Sequence, residues 1–468
     1  MLALSMSPTD QSFFSSHRQS LFTVGVCGLL LMLTVLAGCT KRSPPPPDDA
    51  LSKLEPISEA VNVDLFFDAT LSMKGFVLTK TTSSYQSVVP LLERGVIEGW
   101  RGGQVSFYKF GDDIAPLAGR QYLEAIKPSF YSDSKYNRKT LIERVIDRSA
   151  QDHLTVVVTD LFQTNSDINQ LSEKLKQRFV ANNLCVGIYA IRSQFEGPIY
   201  DVGPDAFSFV YNSTAQPESE RPFYLLTFGK HADIAHFFDV LDQAGLNAIA
   251  ERHALIFSRY LASQYLSFSR AKLKTADRIS EISTSNLLSG HFDDDRVKAF
   301  KLTKSKPTAR FSSELQCDSF VKNVMEYSND LTAEVTAWKG EDKGGRELIP
   351  TESPQAQRAF RVMAKLLPDQ PPYDKLELEG NINTADFPGP GVYQYRILLR
   401  PNHFTLPGWV SLWTMRDEEV RRWHQKPSEF NGAKTYNLEN FLGTLLGAVL
   451  STTQPNVGEV YCYIRVDK

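Results

Sequence analysis

Val63-Asp64-Leu65-Phe66-Phe67-Asp68-Ala69-Thr70-Leu71-Ser72-Met73-Lys74-Gly75 decides how this chain is read. The apolar residues from Val63 to Phe67, interrupted only by Asp64, have the composition of a strand buried on both faces. The strand runs into a loop with a carboxylate at Asp68 and hydroxyls at Thr70 and Ser72. Hard oxygen donors at i, i+2 and i+4 can converge on one divalent cation such as Mg²⁺.

Outward from this stretch, apolar runs recur at Val105–Phe110, Leu154–Thr159, Leu184–Ala190 and Phe223–Phe228. Between most of them lie amphipathic segments with helical spacing: Val88–Ile97, Leu141–Ile146, Ile168–Phe179 and Ile234–Leu241. Buried strands alternating with helices predict an α/β domain over residues 61–245, a doubly wound, mostly parallel sheet covered on both faces. Residues 192–222 break the rhythm with Gly197, Gly203, Pro204, Pro217 and Pro222, and are expected to form a hairpin-like insertion before the last strand. In such sheets ligands bind at the carboxyl ends of the strands, where strand order reverses. Asp68 and Asp160 end two of the apolar runs and would face one crevice if their strands are neighbours.

The pattern Asp68-x-Thr70-x-Ser72-Met73-x-Gly75 resembles the metal-site motif of the von Willebrand factor type A domain, with Thr70 where that family usually has Ser. The resemblance implies a Rossmann-like sheet and a metal site drawn from three loops. Asp68, Thr70 and Ser72 match the first loop. Thr140, in Asn137-Arg138-Lys139-Thr140-Leu141, matches the second, and Asp160, in Val156-Val157-Val158-Thr159-Asp160, the third. Thr140 also has Glu143 three residues on, so a helix N-cap role stands beside the ligand role. The family commonly has Gly after the third-loop Asp, whereas this chain has Leu161. Gly75 is read as a backbone requirement where the first loop turns into its helix. The implied ion is Mg²⁺, with Mn²⁺ or Ca²⁺ as alternatives. The implied partner is a protein that completes the metal shell with an acidic side chain.

A binding protein is favoured over an enzyme. A hydrolase using Asp68 as nucleophile and Asp160 on a metal lacks an acid/base Asp two residues after Asp68, where Thr70 stands. No Gly-x-Ser-x-Gly pattern is present. Gly111-Asp112-Asp113 reads as a turn, His153 as a strand-edge residue, and Asp293-Asp294-Asp295 as a solvated loop. The competing binding reading is an assembly scaffold that recognises partners without metal.

The ends of the chain are different in kind. His17 and Arg18 precede an apolar run, Leu21 to Leu36, that closes in Leu36-Ala37-Gly38-Cys39. This is the form of a secretory signal, and a transmembrane anchor is the alternative. The last four residues resemble a bacterial lipobox, which implies cleavage over residues 1–38, lipidation of Cys39 and attachment to a membrane in the cell envelope. Thr40, in place of Asp, implies the outer membrane if the cell is Gram-negative. Residues 39–60 hold a linker with four consecutive prolines, Pro44 to Pro47, an extended spacer.

Residues 246–300 are expected to connect to a β-rich C-terminal region over 301–468. Short alternating runs at Ala309–Leu315, Leu331–Trp338, Ala359–Leu366, Lys375–Leu378 and Gly391–Leu399 suggest an antiparallel sandwich. Pro388-Gly389-Pro390-Gly391-Val392-Tyr393 resembles a turn of an immunoglobulin-like domain. A helix over Asn437–Leu450 and a last strand at Glu459–Val466 follow. Trp409, Trp413 and Trp423 are expected in the core, with an exposed contact surface as the alternative. Cys185 reads as a buried thiol, and Cys317 with Cys462 as a possible disulfide pair. A net charge of -3 gives no electrostatic case for nucleic acid.

Overall fold

The computed structural model describes residues 56–467 except 150–151, 162–170, 172, 178–183, 204, 215, 259–266, 269–273, 277–278, 284–297, 303–307, 317–330, 343–347, 367–374, 403–404 and 453–457. The signal segment, Cys39, most of the proline-rich linker, Asp293–Asp295 and Cys317 therefore lie outside the described residues. Among the described residues no helix is long and apolar enough to cross a membrane.

The first strands are β1 (Asn62–Asp68), β2 (Gln104–Phe110), β3 (Ile114–Leu117) and β4 (His153–Thr159). They are followed by β5 (Cys185–Ser193), β6 (Glu196–Val202), β7 (Phe207–Asn212), β8 (Arg221–Gly229) and β9 (Arg252–Phe257). Seven of these form one sheet in the order β3-β2-β1-β4-β8-β5-β9. β1 pairs in parallel with β2 on one side and β4 on the other, so strand order reverses at β1. Alternation along β1 sends Val63, Leu65 and Phe67 into one core and Phe66 into the other. Helices α1 (Ser84–Gly99) and α3 (His231–Gln243) cover the first face, and α2 (Ile142–Arg148), which lies between them in the chain, covers the second. The Ser83 hydroxyl accepts from Gln86 N while Gln86 Oε1 accepts from Ser83 N at 3.0 Å, a capping box that fixes where α1 begins. Of the expected helix Ile168–Phe179, the described residues 171 and 173–177 are helical.

The sheet is not mostly parallel. β8 pairs antiparallel with both β4 and β5, and β5 antiparallel with β9. The reason lies in the connection. β5 and β8 are joined through the expected insertion, the hairpin β6–β7, with no crossover helix, and strands joined this way run antiparallel. The returning strand sits between β4 and β5. β9 then extends the same sheet beyond residue 245, the expected domain end.

The remaining strands are β10 (Ser267–Phe268), β11 (Lys274–Ala276), β12 (Ile279–Ile282), β13 (Lys298–Leu302), β14 (Thr308–Gln316), β15 (Leu331–Asp342), β16 (Leu348–Glu352), β17 (Phe360–Leu366), β18 (Lys375–Asn383), β19 (Gly391–Pro401), β20 (Thr414–Met415), β21 (Thr435–Tyr436) and β22 (Gly458–Val466). One sheet has the order β10-β14-β18-β17 with β11 on β14, and another β12-β13-β22-β19-β15-β16. Phe300 of the second stacks on Phe311 of the first at 4.9 Å, and Phe360 meets Tyr395 edge-on at 4.9 Å. Two sheets face each other across an aromatic core, the expected sandwich, but it begins well before residue 301.

The region after 301 is not β throughout. After α4 (Pro354–Ala359) come α5 (Gly408–Trp413), α6 (Asp417–Gln425) and α7 (Leu438–Thr452). α5 and α7 bury Trp409, Trp413, Leu438 and Leu442 in the core shared by the sandwich and the second face of the α/β sheet. α6 and its flanks bury Met415, Val420, Trp423 and Tyr436 in the opposite core. The tryptophans are thus packing residues. Hairpin β6–β7 receives this segment by stacking Phe207 on His424 at 3.8 Å and Phe209 on Phe430 at 4.2 Å. Cys185 is a buried thiol whose Sγ donates to Ser258 Oγ at 3.1 Å, and Cys462 is a free, buried thiol.

His253 of β9 joins the sheet to α5. Its ring lies parallel to Trp409 at 4.6 Å and edge-on to Trp413 at 5.2 Å, and the Arg192 guanidinium stands over Trp413 at 4.5 Å. Burial, then the charges of Arg192 and Arg252, push its pKa down from 6.5 to about 4. The unfolded chain takes the proton first, so this contribution to stability is present above pH 6.5 and is lost as pH falls toward 4. His253→Phe keeps the stack and removes the titration. Urea unfolding from pH 7 downward is expected to show a shallower loss of stability for this variant than for the parent; equal slopes would refute the assignment.

Candidate metal centre

Asp68 is the last residue of β1 and is fully buried. The register that pairs Phe67 with Val158 sets it beside Thr159. Burying an ionised carboxylate is costly unless donors surround it, and here four do. Oδ1 accepts from Thr70 N at 2.9 Å and Thr70 Oγ1 at 2.6 Å. Oδ2 accepts from Thr159 Oγ1 at 2.7 Å and Thr140 Oγ1 at 3.2 Å. Burial, then the neighbouring charge of Asp160, still raises the Asp68 pKa from 3.8 to about 6, against these hydrogen bonds.

The other expected residues close the ring. Thr70 Oγ1 lies 3.1 Å from Ser72 Oγ, and Thr140 Oγ1 lies 3.3 Å from Thr70 Oγ1. Ser72 Oγ donates to Asp160 Oδ1 at 3.3 Å. Asp68, Thr70, Ser72, Thr140 and Asp160 therefore meet at the carboxyl ends of β1 and β4. Ser72 and Thr140 are half-buried, while Asp68, Thr70 and Asp160 are buried.

Three loops hold this arrangement. The first is pinned by Ala69 N to Phe110 O at 2.8 Å and by Leu71 N to Asn137 O at 3.1 Å. It continues as a 3₁₀ helix, Leu71–Val77. Gly75 does not serve a special backbone angle; it is needed because the Phe195 ring lies on it, and an added Cβ would come within 2.2 Å of that ring. The second loop rests on the Gly111 turn. Asp112 Oδ2 accepts from Arg138 N at 3.0 Å and Lys139 N at 3.2 Å, and a Cβ on Gly111 would lie 1.8 Å from Tyr136 O. Thr140 is not a cap: the N-cap of α2 is Leu141, with no side-chain cap bond, because the Thr140 hydroxyl serves the Asp68 carboxylate. In the third loop Leu161 takes φ 51, the left-handed region that a glycine would enter freely. The strain of about 1–2 kcal/mol is offset by burying the leucine side chain, worth about 1.5–3 kcal/mol, among the residues of the second core.

Sequence reasoning missed two participants. Thr159 supplies the shortest bond to Asp68 Oδ2, and its place beside Asp160 was the only available signal. Arg221, at the start of β8, donates from Nη2 to Asp160 Oδ2 at 3.0 Å, with both side chains fully buried. His153 lies at the opposite, amino end of β4, with Nδ1 2.8 Å from Asp64 Oδ2.

The donor chemistry suits a hard dication. Ligand oxygens on adjacent corners of an Mg²⁺ octahedron with bonds of about 2.0–2.1 Å are about 3 Å apart. Neighbouring side-chain oxygens of this cluster are separated by 2.6 to 3.3 Å. Among the described residues no three or more His, Cys, Asp or Glu side chains form a metal-type group, so a metal here would be held by two carboxylates and hydroxyls. Comparison with protein-family models, curated proteins and solved structures gives no match for this chain.

Thr159→Val keeps the shape and removes both the bond to Asp68 Oδ2 and the acceptor for Leu161 N at 3.2 Å. Leaving buried polar groups unmatched costs about 1–3 kcal/mol. Denaturant unfolding of the metal-free variant at pH 7.5 is expected to show a loss of that order, and a loss below the error of extrapolation would remove Thr159 from the site.

Proposed function

We propose that this chain is a cell-envelope binding protein of von Willebrand factor type A kind, anchored by lipid on Cys39, that recognises a protein partner through a Mg²⁺-dependent adhesion-type site. The observation that supports it is the meeting of oxygens from Asp68, Thr70, Ser72, Thr140 and Asp160, drawn from three separated segments, where strand order reverses. When bound, the cation supplies an electrophilic position that a carboxylate oxygen of the partner can fill. The chain's own residues do the rest. Asp68, Asp160 and the three hydroxyls would hold the ion, and the packed loops keep them in place. Half-buried Ser72 and Thr140 lie on the accessible side of the cluster. Mn²⁺ and Ca²⁺ are alternative ions of the same donor preference. The linker and lipidated Cys39 would hold the domain out from an outer-membrane surface.

A second reading has its own support. Arg221 already places positive charge against Asp160, so a scaffold that binds partners without metal is the alternative. The hydrolase reading is weaker. Asp68 has both oxygens engaged by four donors and no accessible surface, which is poor placement for a nucleophile.

Calorimetric titration of the full chain in detergent with Mg²⁺ separates the readings. The parent is expected to bind one Mg²⁺, Asp68→Ala to bind none, and Ser72→Ala to bind roughly tenfold more weakly, in the range seen for altered metal sites. A parent chain with no Mg²⁺ heat at millimolar concentration would leave the scaffold as the better account.

A further inference from the structure

Arg221 reaches the site because β8 runs antiparallel to β4. Thr159 pairs with Tyr224, so the first residue of β8 extends past the end of β4 to where Asp160 stands. Nη2 holds Asp160 Oδ2 at 3.0 Å, and this leaves Oδ1 toward Ser72 Oγ at 3.3 Å. Nη1 donates to Gly432 O at 3.1 Å, and the guanidinium lies 5.3 Å from the Phe195 ring centroid. The basic residues of the metal loops, Lys74, Arg138 and Lys139, are half-buried or exposed, whereas the fold buries Arg221 against a carboxylate of the site.

We infer that Arg221 is a specificity-determining residue, which cancels the charge of Asp160 so that a bound dication keeps net positive charge toward its partner and selects a carboxylate over a neutral group. The inference rests on the metal-dependent reading above. Asp68 and Asp160 together would neutralise a dication; with Arg221 present the cluster carries one net negative charge, and one positive charge is left uncompensated. At short range in a buried site, a unit of charge weighs far more than it does in water. The same charge opposes the metal itself. Arg221 therefore trades metal affinity for attraction to an anionic ligand, and a hydroxyl or amide ligand gains little from that trade.

The test compares Arg221→Met with Arg221→Lys. Both lose the planar fork and the bond geometry to Gly432, but only methionine loses the charge. Calorimetry on the full chain in detergent reads Mg²⁺ affinity. At saturating Mg²⁺ it reads affinity for acetate, with acetamide as the neutral control. Arg221→Met is expected to bind Mg²⁺ roughly tenfold more tightly and acetate roughly tenfold more weakly, with acetamide unmoved, as removal of one close charge from a binding site implies. Arg221→Lys is expected to restore both affinities toward the parent. If circular dichroism shows that Arg221→Met does not fold, Arg221→Gln, which keeps a donor for Gly432 O, takes its place. Equal shifts in the neutral and lysine variants, or Mg²⁺ affinity unchanged without the charge, would overturn the inference while leaving the metal site standing. A parent chain that binds no Mg²⁺ would end both.

Discussion

The carboxylate of Asp68, buried at the end of a strand that is itself covered on both faces, is the constraint on which the rest of this site depends. Such a group cannot stay ionised in an apolar interior without several donors close by. The chain supplies them from the first loop, the loop before α2 and the end of β4, and each bond ties the segment that carries it to the carboxylate. One carboxylate thus ties three segments together. Thr140, one residue before the N-cap, gives its hydroxyl to it, and Leu161 adopts an unfavourable backbone angle in the loop that carries Asp160. The strain is tolerated because the leucine side chain is packed into the core.

Positive charge reaches this cluster from an unexpected direction. The β5–β8 pair reverses the chain through hairpin β6–β7, and β8 enters the sheet next to β4. Its first side chain, Arg221, arrives at the carboxyl end of the sheet and bonds both Asp160 and the carbonyl of Gly432. One guanidinium therefore links the oxygen cluster to the C-terminal segment that also packs on the hairpin. Tyr224, on the same strand, donates to Thr435 at 2.8 Å and reinforces that link. The C-terminal segment is consequently part of the wall around the site as well as part of the core on the sheet's first face. Loss of either bond would leave a buried polar group without its partner, so the connection is costly to break.

Local sequence pattern was enough to place much of this. β1, β4, β5 and β8 each appear as an apolar run, because strands buried on both faces have little choice of side chain. α1 and α3 show their helical period, since each presents one stripe to the sheet. The alternation in β14, β15 and β19 marks strands with one face on a core. Asp68, Thr70 and Ser72 were legible together because they lie in one loop at a spacing that lets their oxygens converge on one side.

What the sequence by itself determined, then, is most of the strands and helices of residues 61–245, and which oxygens stand at strand ends ready to converge. Only the tertiary structure decided that β8 returns antiparallel between β4 and β5, that residues 408–436 fold back onto the α/β sheet, and that Arg221 pairs with Asp160. These are long-range pairings. Periodicity reports which faces of an element are buried, but it carries no information about the neighbour that buries them, and the charge of a site depends on that neighbour.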